Sequence, residues 1–175
     1  MRTTASDPTF LEQLGNALWL EIDAAQQQMT VRQDAQILAC YPVATAKNGL
    51  GETMGSGCTP RGWHKIRAKI GAGQPLYSVF RGRRPTGEIY SPELGRQYPE
   101  RDWILTRILW LSGLEPGVNR YGVVDTAWRY IYIHGCPEEV FRAAPSSHGC
   151  IRMRNQALLE LFTHTPQGTW VWIHG

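Results

Sequence analysis

The chain has 175 residues, 42% of them hydrophobic and 19% charged, which fits one domain with its own core and excludes a disordered segment. A net charge of +3, with no recognisable binding motif, excludes an ordinary nucleic-acid protein. No run approaches the ~20 apolar residues of a membrane span. Asp7, Glu12, Gln13 and Asn16 interrupt every candidate signal sequence near the start, so the chain reads as soluble and not exported.

Gly 18 and Pro 11 are counts that predict many turns and short strands. Residues 7–16 read as a short helix, with Asp7 as N-cap and Pro8 at the first helical position. Leu18–Asp23, Gln28–Gln33 and Ala35–Ala46 alternate and carry β-branched residues, so they read as successive strands. Asn48-Gly49, Leu50-Gly51 and the stretch Gly55–Gly62 read as turns, and Trp63–Ile70 alternates again. Residues 71–102, rich in Gly, Pro and Arg, read as a long excursion, and such loops are usually functional. Trp103–Leu111 is apolar, and periodicity does not decide between strand and buried helix. Trp128–His134 reads as a buried strand, Asn155–Phe162 as an amphipathic helix capped by Asn155, and the segment TWVWIH as a last strand. The expected class is mainly β, a sandwich or small barrel with a few short helices. It forms a single domain over residues 1–175, with 1–17 as an N-terminal extension or short helix.

Charge is uneven. Arg61, Lys65, Arg67, Lys69, Arg81, Arg83 and Arg84 fall in a stretch without Asp or Glu. That is either a solvated basic edge or a surface for an anionic partner.

The densest chemistry lies between Ile133 and Arg154. His134 ends a predicted strand, and Cys150 follows in Ser147-His148-Gly149-Cys150-Ile151-Arg152. A cysteine attacks carbonyls as a thiolate, so it needs a base, and a histidine from a neighbouring strand end supplies one. Gly149 permits a tight turn that exposes the sulfur and aims backbone N–H groups at a developing oxyanion. Arg152 offers a planar fork for a carboxylate. Taken singly, each of these residues has a plainer reading, as a buried thiol, a structural histidine or a turn. A different class also fits: His134-x-Cys136 and His148-x-Cys150 are two H-x-C pairs, four ligands for a tetrahedral zinc, although structural sites usually space ligands more widely. Cys40, Cys58, Cys136 and Cys150 are too few for a disulfide scaffold, and a catalytic thiol must stay free.

Ile133-His134-Gly135, followed by Ser147-His148-Gly149-Cys150-Ile151-Arg152-Met153, resembles the signature of the YkuD, or L,D-transpeptidase catalytic domain, family. The similarity runs from about Leu18 to the C-terminus. Tyr41-Pro42-Val43 resembles the strand before the family's first active-site loop, and Thr59-Pro60-Arg61-Gly62 its TPxG turn. Thr106–Leu114 and Arg129–Gly135 resemble segments common in Gram-negative members. The resemblance implies a mainly β fold and acyl transfer at the third residue of a peptidoglycan stem, with no metal or other cofactor. Carried over by position, Cys150 is the nucleophile, His134 the general base, and the Gly135 carbonyl orients the imidazole. Backbone N–H groups around Gly149 and Cys150 form the oxyanion hole. His148, Ser147 and Arg152 shape the donor site. The implied partners are stem peptides or muropeptides, and the implied inhibitors are carbapenem-type β-lactams.

Two departures stand out. Cys136 replaces a common Thr or Ser, placing a second thiol near the site, either silent or redox-sensitive. Ala143 and Ala144 replace a common Gly before Pro145, which implies a differently shaped entry loop. Without an export signal, the expected setting is the cytoplasm, where free muropeptides are the substrates and water the acceptor. That implies an L,D-carboxypeptidase of wall recycling. The alternatives are a periplasmic transpeptidase that cross-links or exchanges D-amino acids, and a non-catalytic wall-peptide or zinc-binding module.

Overall fold

The computed structural model describes residues 8–175. Helix α1 spans Pro8–Leu14; the expected Asp7 cap lies outside the described residues. The strands are β1 (Trp19–Asp23), β2 (Gln28–Gln33), β3 (Gln36–Pro42), β4 (Gly62–Ile70), β5 (Ser78–Arg81), β6 (Arg84–Ile89), β7 (Ile104–Gly113), β8 (Tyr132–Gly135), β9 (Ile151–Met153) and β10 (Trp170–His174). Helix α2 is Pro92–Gln97 and α3 is Asn155–His164. The strands hydrogen-bond in the order β3-β2-β1-β10-β4-β7-β5-β6, with β8 on β7 and β9 on β8. Pairs β1/β10 and β8/β9 are parallel and the rest antiparallel, so the class is mainly β with one mixed sheet.

Alternation sets the layers, because successive strand side chains point to opposite faces. Leu20, Ile22, Met29, Val31, Ile66, Leu109, Leu111, Ile133, Val171 and Ile173 face one core, which α3 closes with Leu158, Leu161 and Phe162. Each such side chain contributes about 1.5–3 kcal/mol on burial. On the opposite face of β1, β10 and β4, Trp19, Trp172 and Trp63 pack together with Leu14, and Phe10 of α1 stacks on Trp63 with centroids 5.7 Å apart. Four of the seven tryptophans, Trp19, Trp63, Trp170 and Trp172, pack in this half. Trp63→Ala should cost about 3–5 kcal/mol in denaturant unfolding. Trp63→Phe should cost clearly less, since it keeps the ring contact and removes a buried indole N–H that has no partner.

Three expectations need revising. Trp103–Leu111 resolves as strand, in β7, but the expected strand from Trp128 does not begin until Tyr132. The Asp125 carboxylate accepts the N–H groups of Ala127 and Trp128, holding the chain in a turn, and Tyr130 sits at φ 55. Trp128 is therefore exposed, not buried. The excursion 71–102 contains the β5–β6 hairpin and α2 rather than structureless loop. Finally, Asn155 does not cap α3: Arg154 takes the cap position, and the Asn155 amide turns inward to Cys136 O at 2.7 Å.

Among the described residues no helix is long and apolar enough to cross a membrane. The basic stretch disperses. Arg61 pairs with Glu52, Lys69 donates to the Phe162 carbonyl near the end of α3, and Arg67 and Arg83 both lie over Trp110.

Candidate active site

Strands β8 and β9 run side by side, with Ile133 opposite Ile151 and His134 opposite Arg152. Ile133, Ile151 and Met153 point into the main core. The alternate residues, Tyr132, His134, Cys150 and Arg152, are therefore displayed together on the other face. This parallel pair is what brings two segments distant in sequence to one place. Residues 44–46 flank β9 on its far side, bridging Ala44 to Arg152 and Ala46 to Ser147.

The turn before Cys150 is built for close approach. Gly149 has φ 135, and a Cβ there would lie 3.1 Å from Ile131 Cδ1 and 3.3 Å from Cys58 O. Only glycine fits without displacing backbone. The Thr59 hydroxyl, from the Thr-Pro-Arg-Gly turn, donates to Gly149 O at 2.9 Å. Ser147 Oγ accepts the Gly149 N–H at 3.2 Å and donates to the Cys150 carbonyl. The sulfur is thereby fixed from both sides of its turn.

His134 is buried, and its Nδ1 lies 2.7 Å from the Gly135 carbonyl. A carbonyl only accepts, so Nδ1 carries the proton and Nε2 keeps its lone pair. Burial holds the imidazole below its ordinary value of 6.5, although Gly135 O and Asp102 pull the other way. Gly135 cannot carry a side chain, since a Cβ would fall against Asn155 Oδ1 and within 2.8 Å of Leu105 O.

Cys150 is part-buried beside Ile108, Tyr132 and Trp110. Its thiol donates to Tyr130 O at 3.4 Å, and the Tyr132 N–H donates to Sγ at 3.3 Å. Burial pushes the thiol up to about 12, against the Tyr132 N–H and the charges of Arg152 and Arg129. A raised thiol beside a lowered imidazole is a neutral pair at rest, not a preformed thiolate and imidazolium. Iodoacetamide should accordingly alkylate Cys150 slowly at pH 7 and progressively faster as pH rises, read by peptide mass spectrometry. Rapid labelling at pH 7 would mean a thiolate is already present.

Arg152 already holds a carboxylate of this chain: Nη2 donates to Asp102 Oδ1 at 2.8 Å, and Nη1 to Ser146 O at 3.2 Å. His148 is 81% exposed, with Nδ1 3.8 Å from Asp102 Oδ2. Burial works to raise the Asp102 carboxyl, but the fields of His134, Arg152 and His148 outweigh it and hold the group below its ordinary range. Cys136 Sγ faces Met153 O between Ala44 and Phe141, and burial pushes that thiol up to about 12. At 2% exposure it is out of reach of a substrate, unlike the part-buried Cys150. The four H-x-C groups do not converge: among the described residues no three His, Cys, Asp or Glu side chains are grouped to share a metal ion. All four cysteines are free.

Several contributors escape a reading of the motif. Asp102 comes from the far end of the excursion. The Arg129 guanidinium donates to the carbonyls of Gly51, Glu52 and Cys58 and to Ser56 Oγ, tying the 51–58 loop beside the Gly149 turn. Asn155 bridges Cys136 O, the Glu138 carboxylate and the Thr106 hydroxyl behind His134. Thr106 has φ 74 where the β7–β8 register slips, a strained bulge immediately beside the site.

Solved proteins share this fold. An L,D-transpeptidase from Mycobacterium smegmatis superposes with TM-score 0.54 at 19% identity, covering 90% of this chain and 58% of that one. LdtMt1, an L,D-transpeptidase solved with imipenem, gives 0.55 at 19%, covering 90% and 59%. L,D-transpeptidase 3 from Mycobacterium tuberculosis, solved with a faropenem-derived adduct, gives 0.56 at 13%, covering 91% and 60%. The chain thus spans about three fifths of the length of these solved proteins. No curated protein matches it. The model of the YkuD family, the L,D-transpeptidase catalytic domain, matches residues 17–173, a range that includes His134, Gly135 and the whole Ser147–Arg152 turn. By that match, over a fold and a turn built as described, the chain belongs to the YkuD family of L,D-transpeptidase catalytic domains.

Proposed function

We propose that the protein is a cysteine acyl-transfer enzyme acting on peptidoglycan tetrapeptide stems. It cleaves the bond between the third-position diamino acid and the terminal D-alanine. The observation that carries this reading is the shared face of β8 and β9, which bears both Cys150 and His134, with the Gly135 carbonyl leaving the imidazole Nε2 free to accept a proton.

The chemistry follows from the resting neutral pair. Substrate binding brings the carbonyl carbon to Sγ, and the thiol proton passes to His134 Nε2 as the S–C bond forms. Of the two N–H groups expected at the oxyanion, that of Gly149 is held by Ser147 Oγ, which leaves the Cys150 N–H to face the charge. The C–N bond then breaks, and the departing amine of D-alanine takes the proton back from His134. That leaves an acyl thioester on Cys150. Water gives one proton to His134 Nε2 as its oxygen adds to the thioester carbon; the C–S bond breaks, the imidazolium returns that proton to Sγ, and the tripeptide acid leaves and loses its own proton to solvent.

With water as acceptor the protein is an L,D-carboxypeptidase, which converts tetrapeptide stems to tripeptides in the cytoplasm during wall recycling. Water needs no acceptor subsite, which supports it as the default acceptor. An amine acceptor would instead give cross-linking or D-amino-acid exchange, the periplasmic activity. Carbapenem-type β-lactams should acylate Cys150, a reading supported by similar structures that hold imipenem and a faropenem-derived adduct.

The deciding experiment is incubation of the protein with a disaccharide-tetrapeptide, with and without a free D-amino acid, followed by mass spectrometry. Release of D-alanine alone is expected. Exchanged stems or dimers would replace hydrolysis by transpeptidation. No change in the stem would remove the function altogether.

A further inference from the structure

The turn between β5 and β6 is unusual. Arg81 pairs with Arg84, so Gly82 and Arg83 are its central residues, with φ 54 and 63. That is a two-residue type I′ turn, which favours Asn or Gly at both positions. An arginine held in the left-handed region is uncommon and marks a side chain worth placing.

Arg83 folds back over the sheet. Its guanidinium carbon lies 4.6 Å from the Trp110 ring centroid and 5.0 Å from that of Tyr130, and Nη1 donates to Tyr132 Oη at 3.1 Å. These aromatics border the nucleophile. Tyr130 O accepts the Cys150 thiol, the Tyr132 N–H points at Sγ, and Trp110 packs in the same cluster as Cys150. The charge of Arg83 therefore stands one tyrosine side chain away from the sulfur. Arg32, Arg61, Arg96, Arg101, Arg152 and Arg154 each hold a carboxylate of this chain, but among the described residues none pairs with Arg83. Its contact with Tyr132 uses one N–H, leaving most of the guanidinium fork open. Aromatic faces beneath the fork shield it from water, which strengthens what it binds.

We propose that Arg83 is the receptor for the free carboxylate of the stem's terminal D-amino acid, the group that leaves after Cys150 attacks. The proposal rests on the stem-peptide reading above. That carboxylate belongs to the residue immediately after the attacked carbonyl, and consecutive Cα atoms lie about 3.8 Å apart. Arg83 meets Tyr132 at Oη, Sγ meets it at the backbone N–H, and Tyr132 and Cys150 share one cluster, so the guanidinium lies on the side of the sheet where the residue after the attacked carbonyl would extend. Arg152, the fork expected for this task, is occupied by Asp102 and Ser146. The hairpin thus checks that the stem ends one residue beyond the scissile bond.

The test compares two stems, one ending in D-alanine and one in the neutral D-alaninamide, in wild type, Arg83→Gln, Arg83→Lys and Arg152→Gln. The readout is the ratio of kcat/KM for carboxylate over carboxamide. Wild type should favour the carboxylate by about 10- to 100-fold, the range of a charge-assisted contact. Arg83→Gln should bring the ratio close to one, and Arg83→Lys should restore part of it. A wild-type ratio near one would overturn the proposal. So would a preference that survives Arg83→Gln, or one that disappears only in Arg152→Gln. Failure of wild type to cleave either stem is a different result: it would overturn the stem-peptide reading itself, and this proposal with it.

Discussion

Cys150→Ala should abolish stem cleavage, lowering kcat by about six orders of magnitude, as loss of a nucleophile does when the remaining machinery cannot act without it. No other thiol can take over. Cys136 is only 2% exposed, Cys58 Sγ donates to the carbonyls of Asn48 and Ser56 within its own loop, and Cys40 sits exposed on β3, away from the β8–β9 face. The substitution removes one part-buried sulfur and its contacts with Tyr130 and Tyr132, so stability should change by only about 1 kcal/mol. A folded, inactive protein separates a chemical role from a structural one. Measurable turnover in Cys150→Ala would end the cysteine mechanism.

His134→Ala should lower kcat by about 10²- to 10⁴-fold, the usual contribution of a positioned base. A neutral thiol needs a base, and the two groups that hydrogen-bond Sγ do not serve: Tyr130 O accepts the thiol bond without taking the proton away, and Tyr132 N–H only donates. The pH profile follows with a definite sign. In the proposed mechanism His134 acts in its neutral form, and burial holds it below 6.5. Activity should stay level as pH falls through 6.5 and decline only in more acidic solution, and the acid limb should vanish in the residual activity of His134→Ala. An acid limb centred above 6.5 would mean that the working base is another group, or that the imidazole is stabilised in its charged form.

Much of this fold was legible because the strands carry their own signal. Trp19–Asp23, Gln28–Gln33 and Gly62–Ile70 alternate, and they form β1, β2 and β4 almost where alternation predicts. The stretch from Trp128 failed because alternation says nothing of a local competitor; the Asp125 carboxylate captures two backbone N–H groups and turns the chain before Tyr132. At the site, His134, Gly135 and the turn from Ser147 to Arg152 were legible because each lies in one short contiguous string. Their companions were not. Asp102 follows α2, Arg83 tips a hairpin, and Arg129 precedes β8 by three residues, and each reaches the site only through strand pairings that no local pattern encodes. Asp102 in particular changes the reading of Arg152, since an arginine that looks free in the sequence is already paired in the structure.

The proposed mechanism passes through an acyl thioester at Cys150. The most direct measurement is an acid quench of the protein during turnover of a disaccharide-tetrapeptide, followed by intact mass and peptide mapping. A mass increment equal to the disaccharide-tripeptide acyl group is expected, borne by the peptide that contains Cys150 and absent from Cys150→Ala. Release of D-alanine with no adduct at Cys150, or with an adduct on another residue, would contradict it.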